Sequence, residues 1–266
     1  MKKKYSSFFI LIFALLGSSC ENDATASDKK SGPIVRDTTV IDIPVIVDPI
    51  GEISTTRPVT QNRDAKVYNW HERHQKILSL NKERPPKIVF IGNSILHYWA
   101  GEPTAPFIRG NDSWNEYFKP KDVRNMGFGW DRIENALWRV HNGELDGYTA
   151  SHVVVLIGTN NLSINTDDEI VLGLKFLLES IKRHQPKAKI IVMGLLPRRN
   201  HESRISILNK RVSTVADTLN LTYADSDNLL LAADGKINER LFSDGVHPNA
   251  EGYGLLAPFI NSYLVK

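Results

Sequence analysis

Three short apolar runs, each closed by a glycine, set the strongest limit on how this chain can fold. They read KIVFIG at residues 87–92, HVVVLIG at 152–158 and KIIVMG at 189–194. Each is rich in β-branched residues and lacks polar–apolar alternation, so each predicts a strand buried on both faces of a parallel sheet. Weaker candidates at 123–127 and 221–225 complete the expected set of strands.

Helical patterns fill the intervals between these strands. The clearest apolar face contains Ile170, Leu174 and Ile181, and Thr166 with Glu169 three residues later forms a capping box that predicts where this helix begins. Strands that alternate with helices predict an α/β domain with a parallel sheet covered on both sides. In such sheets the active site lies at the carboxyl ends of the strands.

The N-terminus is typical of an export signal. Lysines at positions 2–4 precede an uninterrupted apolar run over residues 8–16, and small residues then lead to Cys20. The run is too short to cross a bilayer, which takes about 20 residues, so it predicts a signal peptide over residues 1–19.

Cys20 is the only cysteine of the chain, so no disulfide can form within it. Its position resembles a bacterial lipobox, although Gly17 stands where leucine is usual. The resemblance implies lipidation of Cys20 and an exported, membrane-anchored lipoprotein of a Gram-negative bacterium, periplasmic or on the cell surface. A soluble secreted protein cleaved nearby is the alternative.

The charge of the chain gives no reason to expect a nucleic-acid partner. Removal of residues 1–19 takes away three lysines and no acidic residue, so the formal net charge falls from +3 to zero. Residues 20–61 are polar and then rich in proline, which predicts a tether with an edge strand near 40–47. The folded domain is expected at 62–266.

Ser94 follows the first predicted strand, in the sequence IGNS. Gly92 permits a sharp turn, and a helix that begins at Ser94 would place the hydroxyl where developing negative charge is favoured. The ordinary use of a serine after a strand is a helix N-cap, so Ser94 alone leaves both interpretations open.

Two other strand ends carry groups that could hold an oxyanion. Gly127 and Gly129 in NMGFGWDR bring backbone N–H groups close to a ligand; a nucleotide-binding loop is the alternative, but its glycine spacing differs. Asn160 and Asn161 follow the third strand, where a side-chain amide is a typical oxyanion donor and a turn cap is the alternative.

The sequence DGVHP supplies a carboxylate and an imidazole in a stiff turn. Asp244 and His247 lie three residues apart, with Gly245 between them and Pro248 directly after. Such a pair suits a catalytic triad, a metal site or a well-bonded surface turn. Acyl transfer through serine needs a hydroxyl, a histidine, a carboxylate and fixed N–H donors, and this chain offers each at successive strand ends.

Together these residues resemble the SGNH hydrolases, or GDSL esterases, whose four name-giving positions correspond here to Ser94, Gly127, Asn160 and His247. The resemblance runs from about residue 64 to the C-terminus. The blocks VFIGNS, NMGFG, LWRVHNGELDG, IGTNN and DGVHPNAEGY look most like the branch with the platelet-activating-factor acetylhydrolase Ib catalytic subunits. The resemblance implies a three-layer α/β/α, flavodoxin-like fold with about five parallel strands.

The resemblance also implies roles for the matched residues. Ser94 would be the nucleophile, His247 the general base and Asp244 the residue that orients His247. The oxyanion hole would be the Ser94 and Gly127 N–H groups with the Asn160 side chain. No metal or cofactor is implied.

The chain departs from the family pattern at two positions. Asn93 replaces the usual aspartate before the serine, which implies altered local bonding without loss of activity. Trp130 stands where the mammalian relatives have glycine, so the acyl or leaving-group pocket is expected to differ. Trp99, Trp114 and Trp130 are candidates for lining a sugar cleft, and Trp99 and Trp130 are the residues expected to bind substrate.

Other histidines offer weaker candidates. His71 and His74 have a spacing that suits one helix face, which predicts a surface pair, since no third metal ligand is apparent. His97 lies one helical turn after Ser94 and competes for the role of base, but a helix neighbour points along the helix.

The resulting hypothesis is a serine esterase for small acyl groups, acetyl in the first place. The predicted export favours a carbohydrate ester as substrate, and membrane contact is expected through the lipid anchor alone. A lipid ester, as for an acetylhydrolase or lysophospholipase, is the enzymatic alternative. A non-catalytic glycan-binding lipoprotein is the alternative outside enzymes.

Overall fold

A parallel five-stranded sheet forms the centre of the structure, a computed structural model that describes residues 53–265. The strands lie in the order β2-β1-β3-β4-β5, and every neighbouring pair is parallel. Their bounds are β1 Ile88–Gly92, β2 Val123–Gly127, β3 His152–Leu156, β4 Lys189–Met193 and β5 Thr222–Ala224. Three of them lie within the apolar runs of the sequence and the other two within the weaker candidates at 123–127 and 221–225, so the predicted strands are confirmed.

Helices connect the strands and cover the sheet. The helices are α1 Trp70–Glu83, α2 Ser94–His97, α3 Asn111–Tyr117, α4 Ile133–Arg139, α5 Asp167–His184, α6 Glu202–Thr218, α7 Asp227–Leu230 and α8 Ala250–Leu264. Short 3-10 turns lie at Ser54–Thr56, Lys119–Lys121, Thr159–Asn161 and Glu239–Leu241, and a π turn at Val140–Glu144. None of the helices within residues 53–265 has the length and apolarity to cross a membrane.

Two hydrophobic cores lie on opposite faces of the sheet. Val89 and Ile91 of β1 pack with α1, α4, α5 and α6 on one face, and Ile88 and Phe90 pack with α2, α3 and α8 on the other. Successive strand residues point to opposite faces, so a strand buried on both faces needs an unbroken apolar run. The three-layer α/β/α architecture and its flavodoxin-like strand order are confirmed.

Local capping places the helices as the sequence predicts. The Thr166 hydroxyl accepts from the Glu169 N–H at 3.3 Å and the Glu169 carboxylate accepts from the Thr166 N–H at 2.9 Å, which confirms the capping box of α5. These bonds satisfy N–H groups that have no partner inside the helix.

The predicted domain boundary at residue 62 falls inside a segment that packs on the domain. Thr55, Thr56 and Gln61 are buried, and the Thr55 hydroxyl donates to the Glu169 carbonyl at 2.7 Å. The signal peptide, Cys20 and the edge strand expected near 40–47 lie outside the described residues.

Candidate active site

The site lies at the carboxyl edge of the sheet, between β1 and β3. Register aligns Gly92 at the end of β1 with Gly127 of β2 on one side and Leu156 of β3 on the other, so the loops after these strands meet. The chain order of the strands reverses at this point, and such a reversal opens a crevice outside the sheet.

Ser94 is the first residue of α2, and Asn93 is its N-cap. The Asn93 side-chain oxygen accepts from the Ile95 N–H at 2.9 Å, so the cap function falls to Asn93 and leaves the serine hydroxyl free for another partner. Gly92 is required because a Cβ there would lie 2.2 Å from the Leu156 carbonyl oxygen. The altered bonding expected at Asn93 is thus a helix cap.

The Ser94 hydroxyl meets a histidine–aspartate pair. His247 Nε2 lies 2.8 Å from Ser94 Oγ, and His247 Nδ1 lies 2.8 Å from Asp244 Oδ2. Ser94 is buried, whereas the Asp244 side chain is 44 % exposed. The three side chains thus form a continuous relay of hydrogen bonds with the geometry of a nucleophile, a base and an orienting carboxylate.

The turn itself fixes the relay. Asp244 Oδ1 accepts from the N–H groups of Val246 and His247 at 3.1 and 2.9 Å, so the carboxylate is held by the turn as well as by the imidazole. Gly245 has φ +79°, a conformation that favours glycine. The Tyr253 hydroxyl, on the helix that follows, donates to the Ile95 carbonyl at 2.6 Å and so ties this turn to α2.

Burial and hydrogen bonding set the protonation of the pair. Burial lowers the pKa of His247 below its ordinary value of 6.5, against the raising effect of Asp244. For Asp244, burial acts to raise the pKa, but the hydrogen bonds from the His247 N–H and ring prevail and lower it to about 2. At neutral pH His247 is therefore neutral and can accept a proton, while Asp244 is ionised.

The two asparagines after β3, Asn160 and Asn161, have different hydrogen-bond partners. Asn161 is buried, and its Oδ1 accepts from the Ile133 N–H at 3.1 Å at the start of α4. Asn160 is half-buried, and its Nδ2 donates to the Asp131 carbonyl at 2.9 Å. A side-chain amide carries two N–H groups, so Asn160 retains one for a ligand.

The Gly127 amide is not available as an oxyanion donor in this structure. Its N–H donates to Asn125 Oδ1 at 2.8 Å. A Cβ at Gly127 would lie 2.3 Å from the His97 nitrogen, so glycine here allows β2 to end directly against α2. The expectation that Gly127 supplies an open N–H is corrected on this ground.

Trp130 offers an open amide instead. It has φ +62°, a left-handed conformation that costs a residue with a Cβ roughly 1–2 kcal/mol. Among residues 53–265 its N–H has no acceptor, and neither has that of Ser94. The indole is 52 % exposed, which leaves it free to contact a substrate.

Trp99 cannot contact substrate, contrary to the expectation from sequence. Its side chain is fully buried, its Nε1 donates to Ser113 Oγ at 3.0 Å, and its ring packs 4.6 Å from that of Tyr253. Trp99 lies in the turn after α2, and its ring packs in the core together with that of Trp114, which is buried as well.

His97 and His74 have structural partners. His97 Nδ1 accepts from the Gly129 N–H at 3.0 Å, and burial together with Arg73 and Arg139 lowers the pKa of His97 to about 2, so it is a fixed acceptor. His74 is buried against Glu144 at 2.9 Å, which corrects the surface pair expected from sequence. Within residues 53–265 no group of three or more His, Cys, Asp or Glu side chains is placed to hold a metal ion.

Two arginines near the relay were missed by sequence reasoning. Arg109 Nη1 lies 3.4 Å from Asp244 Oδ2, and its guanidinium lies over the Tyr98 ring at 5.6 Å. Arg198 donates to the Thr159 carbonyl at 3.0 Å beside Asn160. Arg198 follows β4, so the strand-end rule could have found it, whereas nothing in the loop around Arg109 signals its contact.

A comparison with known proteins identifies the family of this chain. Residues 90–255 match the GDSL-like Lipase/Acylhydrolase family. The chain is 29 % identical over 221 residues to platelet-activating factor acetylhydrolase IB subunit alpha1 of Rattus norvegicus, covering 81 % of this chain and 91 % of that protein.

Solved structures share the fold at lower identity. A GDSL-like lipase from Bacteroides thetaiotaomicron aligns with a TM-score of 0.60 at 20 % identity, covering 72 % of this chain and 97 % of that one. A carbohydrate esterase family 3 protein from Talaromyces cellulolyticus aligns with a TM-score of 0.51 at 18 % identity, covering 68 % and 96 %. The chain therefore belongs to the GDSL-like lipase/acylhydrolase family and is an ester hydrolase.

Proposed function

We propose that this ester hydrolase is a serine esterase that removes small acyl groups, acetyl in the first place, from carbohydrates. The observation that carries the mechanism is the relay of two 2.8 Å contacts from Ser94 through His247 to Asp244. His247 is placed to take the proton of the Ser94 hydroxyl, and Asp244 is placed to hold the imidazole that takes it.

In the first half-reaction Ser94 Oγ attacks the ester carbonyl carbon as His247 Nε2 takes the hydroxyl proton. The tetrahedral intermediate collapses, the bond to the leaving oxygen breaks, and His247 returns the proton to the departing alcohol. Water, deprotonated by His247, then attacks the acyl-serine; the bond to Ser94 Oγ breaks, His247 returns the proton to that oxygen, and the acid leaves as its carboxylate. Asp244 holds the imidazole and stabilises its charged form.

The oxyanion needs fixed donors, and we assign three. The Ser94 N–H lies at the start of α2, the second amide hydrogen of Asn160 remains free, and the Trp130 N–H has no acceptor within the described chain. Donors preorganised in this way cost no reorganisation when charge develops on the carbonyl oxygen. Trp130 thus replaces Gly127 in the assignment.

The carbohydrate part of the proposal rests on Trp130 and on the export predicted from the sequence. A half-exposed indole on the loop after β2 is a flat apolar surface of the kind that sugar rings pack on. The shared fold of a carbohydrate esterase is compatible with this substrate class.

A lipid ester is the second candidate, favoured by a separate observation. Phe107 is 50 % exposed and packs edge-on at 5.6 Å against Tyr98, whose ring lies 5.5 Å from that of His247. With Ile108, 47 % exposed, it forms an apolar rim on one side of the relay that could receive an alkyl chain.

The nucleophile is tested with p-nitrophenyl esters of increasing acyl length. We expect the purified protein to prefer acetate, and Ser94→Ala to lose activity by on the order of 10³-fold or more because the attacking oxygen is gone. Ser79→Ala, on the exposed face of α1, is the matched control and should retain full activity. Full activity of Ser94→Ala would overturn the mechanism.

The substrate class is tested by acetate release from acetylated polysaccharides and from acetylated phospholipids. We expect release from the glycans, with a higher KM in Trp130→Gly because the indole surface is lost. Absence of release from every glycan, with release from the lipid, would replace the first candidate by the second.

A further inference from the structure

A segment that precedes α1 runs along the outer side of the loop after β2. We call residues 59–68 the strap; they lie outside the residues 90–255 that match the family. The Val59 N–H donates to the Glu134 carbonyl at 3.3 Å, and Asn135 Nδ2 donates to the Val59 carbonyl at 2.9 Å. The strap is thereby anchored at the start of α4.

Three strap side chains hold the two carbonyl groups at the tip of this loop. Gln61 Nε2 and Tyr68 Oη donate to the Gly129 oxygen at 3.0 and 2.8 Å, and Arg63 Nη1 donates to the Trp130 oxygen at 3.1 Å. The Gln61 amide is itself oriented, since its Oε1 accepts from the Arg63 N–H at 2.7 Å.

These contacts fix the direction of the Trp130 N–H group. Within the described chain the only cis peptide is Glu102–Pro103, so the Gly129–Trp130 peptide is trans and its carbonyl and N–H point in opposite directions. With the Gly129 oxygen held on the strap side, the Trp130 N–H points away from the strap. The next residue, Asp131, accepts from Asn160 Nδ2 through its carbonyl, so the same loop also contacts a proposed oxyanion donor.

The loop needs such external support because of its conformation. Trp130 has φ +62°, which a tryptophan does not adopt by its own preference. The Gly129 N–H is held by His97 Nδ1 at 3.0 Å from within the domain, and the strap supplies the contacts from outside. A strained residue persists only where its surroundings determine it from several directions.

We propose that the strap is a positioning element of the ester hydrolase. Gln61, Arg63 and Tyr68 hold the Gly129 and Trp130 carbonyls so that the Trp130 N–H stays directed at the oxyanion formed on Ser94. The inference rests on the proposed function, because this N–H matters only if Ser94 forms a tetrahedral adduct.

The test uses Arg63→Ala and Tyr68→Phe in the otherwise unchanged protein, since Arg63 is exposed and Phe keeps the Tyr68 ring. On p-nitrophenyl acetate we expect kcat to fall about tenfold in each, less than the roughly 10²–10³-fold cost of losing an oxyanion donor, with KM unchanged. Inhibition by an alkyl trifluoromethyl ketone, whose hemiketal with serine places an oxyanion in the same position, should weaken by the same factor. Arg57→Ala, an exposed arginine just before the strap, is the control and should change neither value.

A second background separates positioning from general destabilisation. Glycine adopts a left-handed conformation freely, so in the Trp130→Gly background the effect of Arg63→Ala on kcat should shrink to less than about threefold. An equal effect in both backgrounds, or a change in KM without a change in kcat and inhibitor affinity, would overturn the proposal. If Ser94→Ala retained activity, the proposed function itself would be wrong. If Ser94→Ala were inactive but the strap variants were fully active, only the positioning role of the strap would be wrong.

Discussion

At the scale of single residues, the site depends on a contact between side chains 153 positions apart. Ser94 and His247 meet at 2.8 Å, and each is prepared locally: Asn93 takes over the helix cap, and Asp244 is held by two N–H groups of its own turn. Local hydrogen bonds therefore leave the serine hydroxyl free and fix the turn that carries the imidazole.

The pH dependence of activity follows from the His247 pKa. Protonated His247 cannot accept the Ser94 proton, so kcat/KM for p-nitrophenyl acetate should rise with pH and level off. Because burial lowers the pKa of His247 below 6.5, the midpoint should lie on the acid side of 6.5. A midpoint above 6.5 would contradict this assignment of the base.

Asp244→Asn, measured over the same pH range, should lower kcat by on the order of 10³–10⁴-fold, because the amide no longer holds the required imidazole tautomer. Its midpoint should move further to the acid side, since Asp244 acts to raise the pKa of His247. Asp217→Asn, an exposed acid on α6, is the matched control and should keep the profile of the unchanged protein.

At the scale of elements, close approach between β2 and α2 sets the position of the nucleophile. Gly127 ends β2 directly against the backbone of α2, and the Asn125 side chain donates to the Leu96 and Ala100 carbonyls at 2.7 and 2.6 Å. The helix α2, which begins at Ser94, is therefore positioned by its contacts with β2 as well as by its connection to β1.

Gly127→Ala should destabilise the protein by about 1–3 kcal/mol, because the added Cβ would lie 2.3 Å from the His97 nitrogen and backbone must shift. Urea unfolding measures the loss, and kcat should fall with it since α2 carries Ser94. Gly254→Ala is the control: nothing lies within 4 Å of the added Cβ at this exposed position of α8, so it should stabilise by up to about 1 kcal/mol. Unchanged stability of Gly127→Ala would contradict this packing.

At the scale of the whole molecule, the sequence divides into a domain with an esterase site and an N-terminus that predicts export. The location remains a proposal: an exported lipoprotein anchored through Cys20. We expect the mature protein in the membrane fraction, with an intact mass that exceeds the chain from residue 20 onward by the attached lipid, and Cys20→Ser in the soluble fraction. Ser94→Ala is the control and should stay membrane-bound. An unmodified Cys20 in the mature protein would reject the anchor.

Much of the fold could be predicted because its signals are local. Three apolar runs and two weaker candidates marked the strands, and the capping box at Thr166 marked the start of α5. Periodicity is less reliable at single positions: Leu255, an apolar residue of α8, is 41 % exposed, because its neighbour Leu256 takes the inward direction. An apolar pair side by side on a helix does not reveal which member faces the core.

The sequence by itself determined the α/β class, the order of the polar strand ends and the pairing of Asp244 with His247 within one turn, because each depends on neighbours in the chain. Only the tertiary structure decided that Trp99 is buried, that the Gly127 amide is already bonded and that the strap holds the loop around Trp130. Those outcomes depend on which backbone N–H and carbonyl groups meet across distant segments, and no pattern in the sequence records where a buried polar group finds its partner.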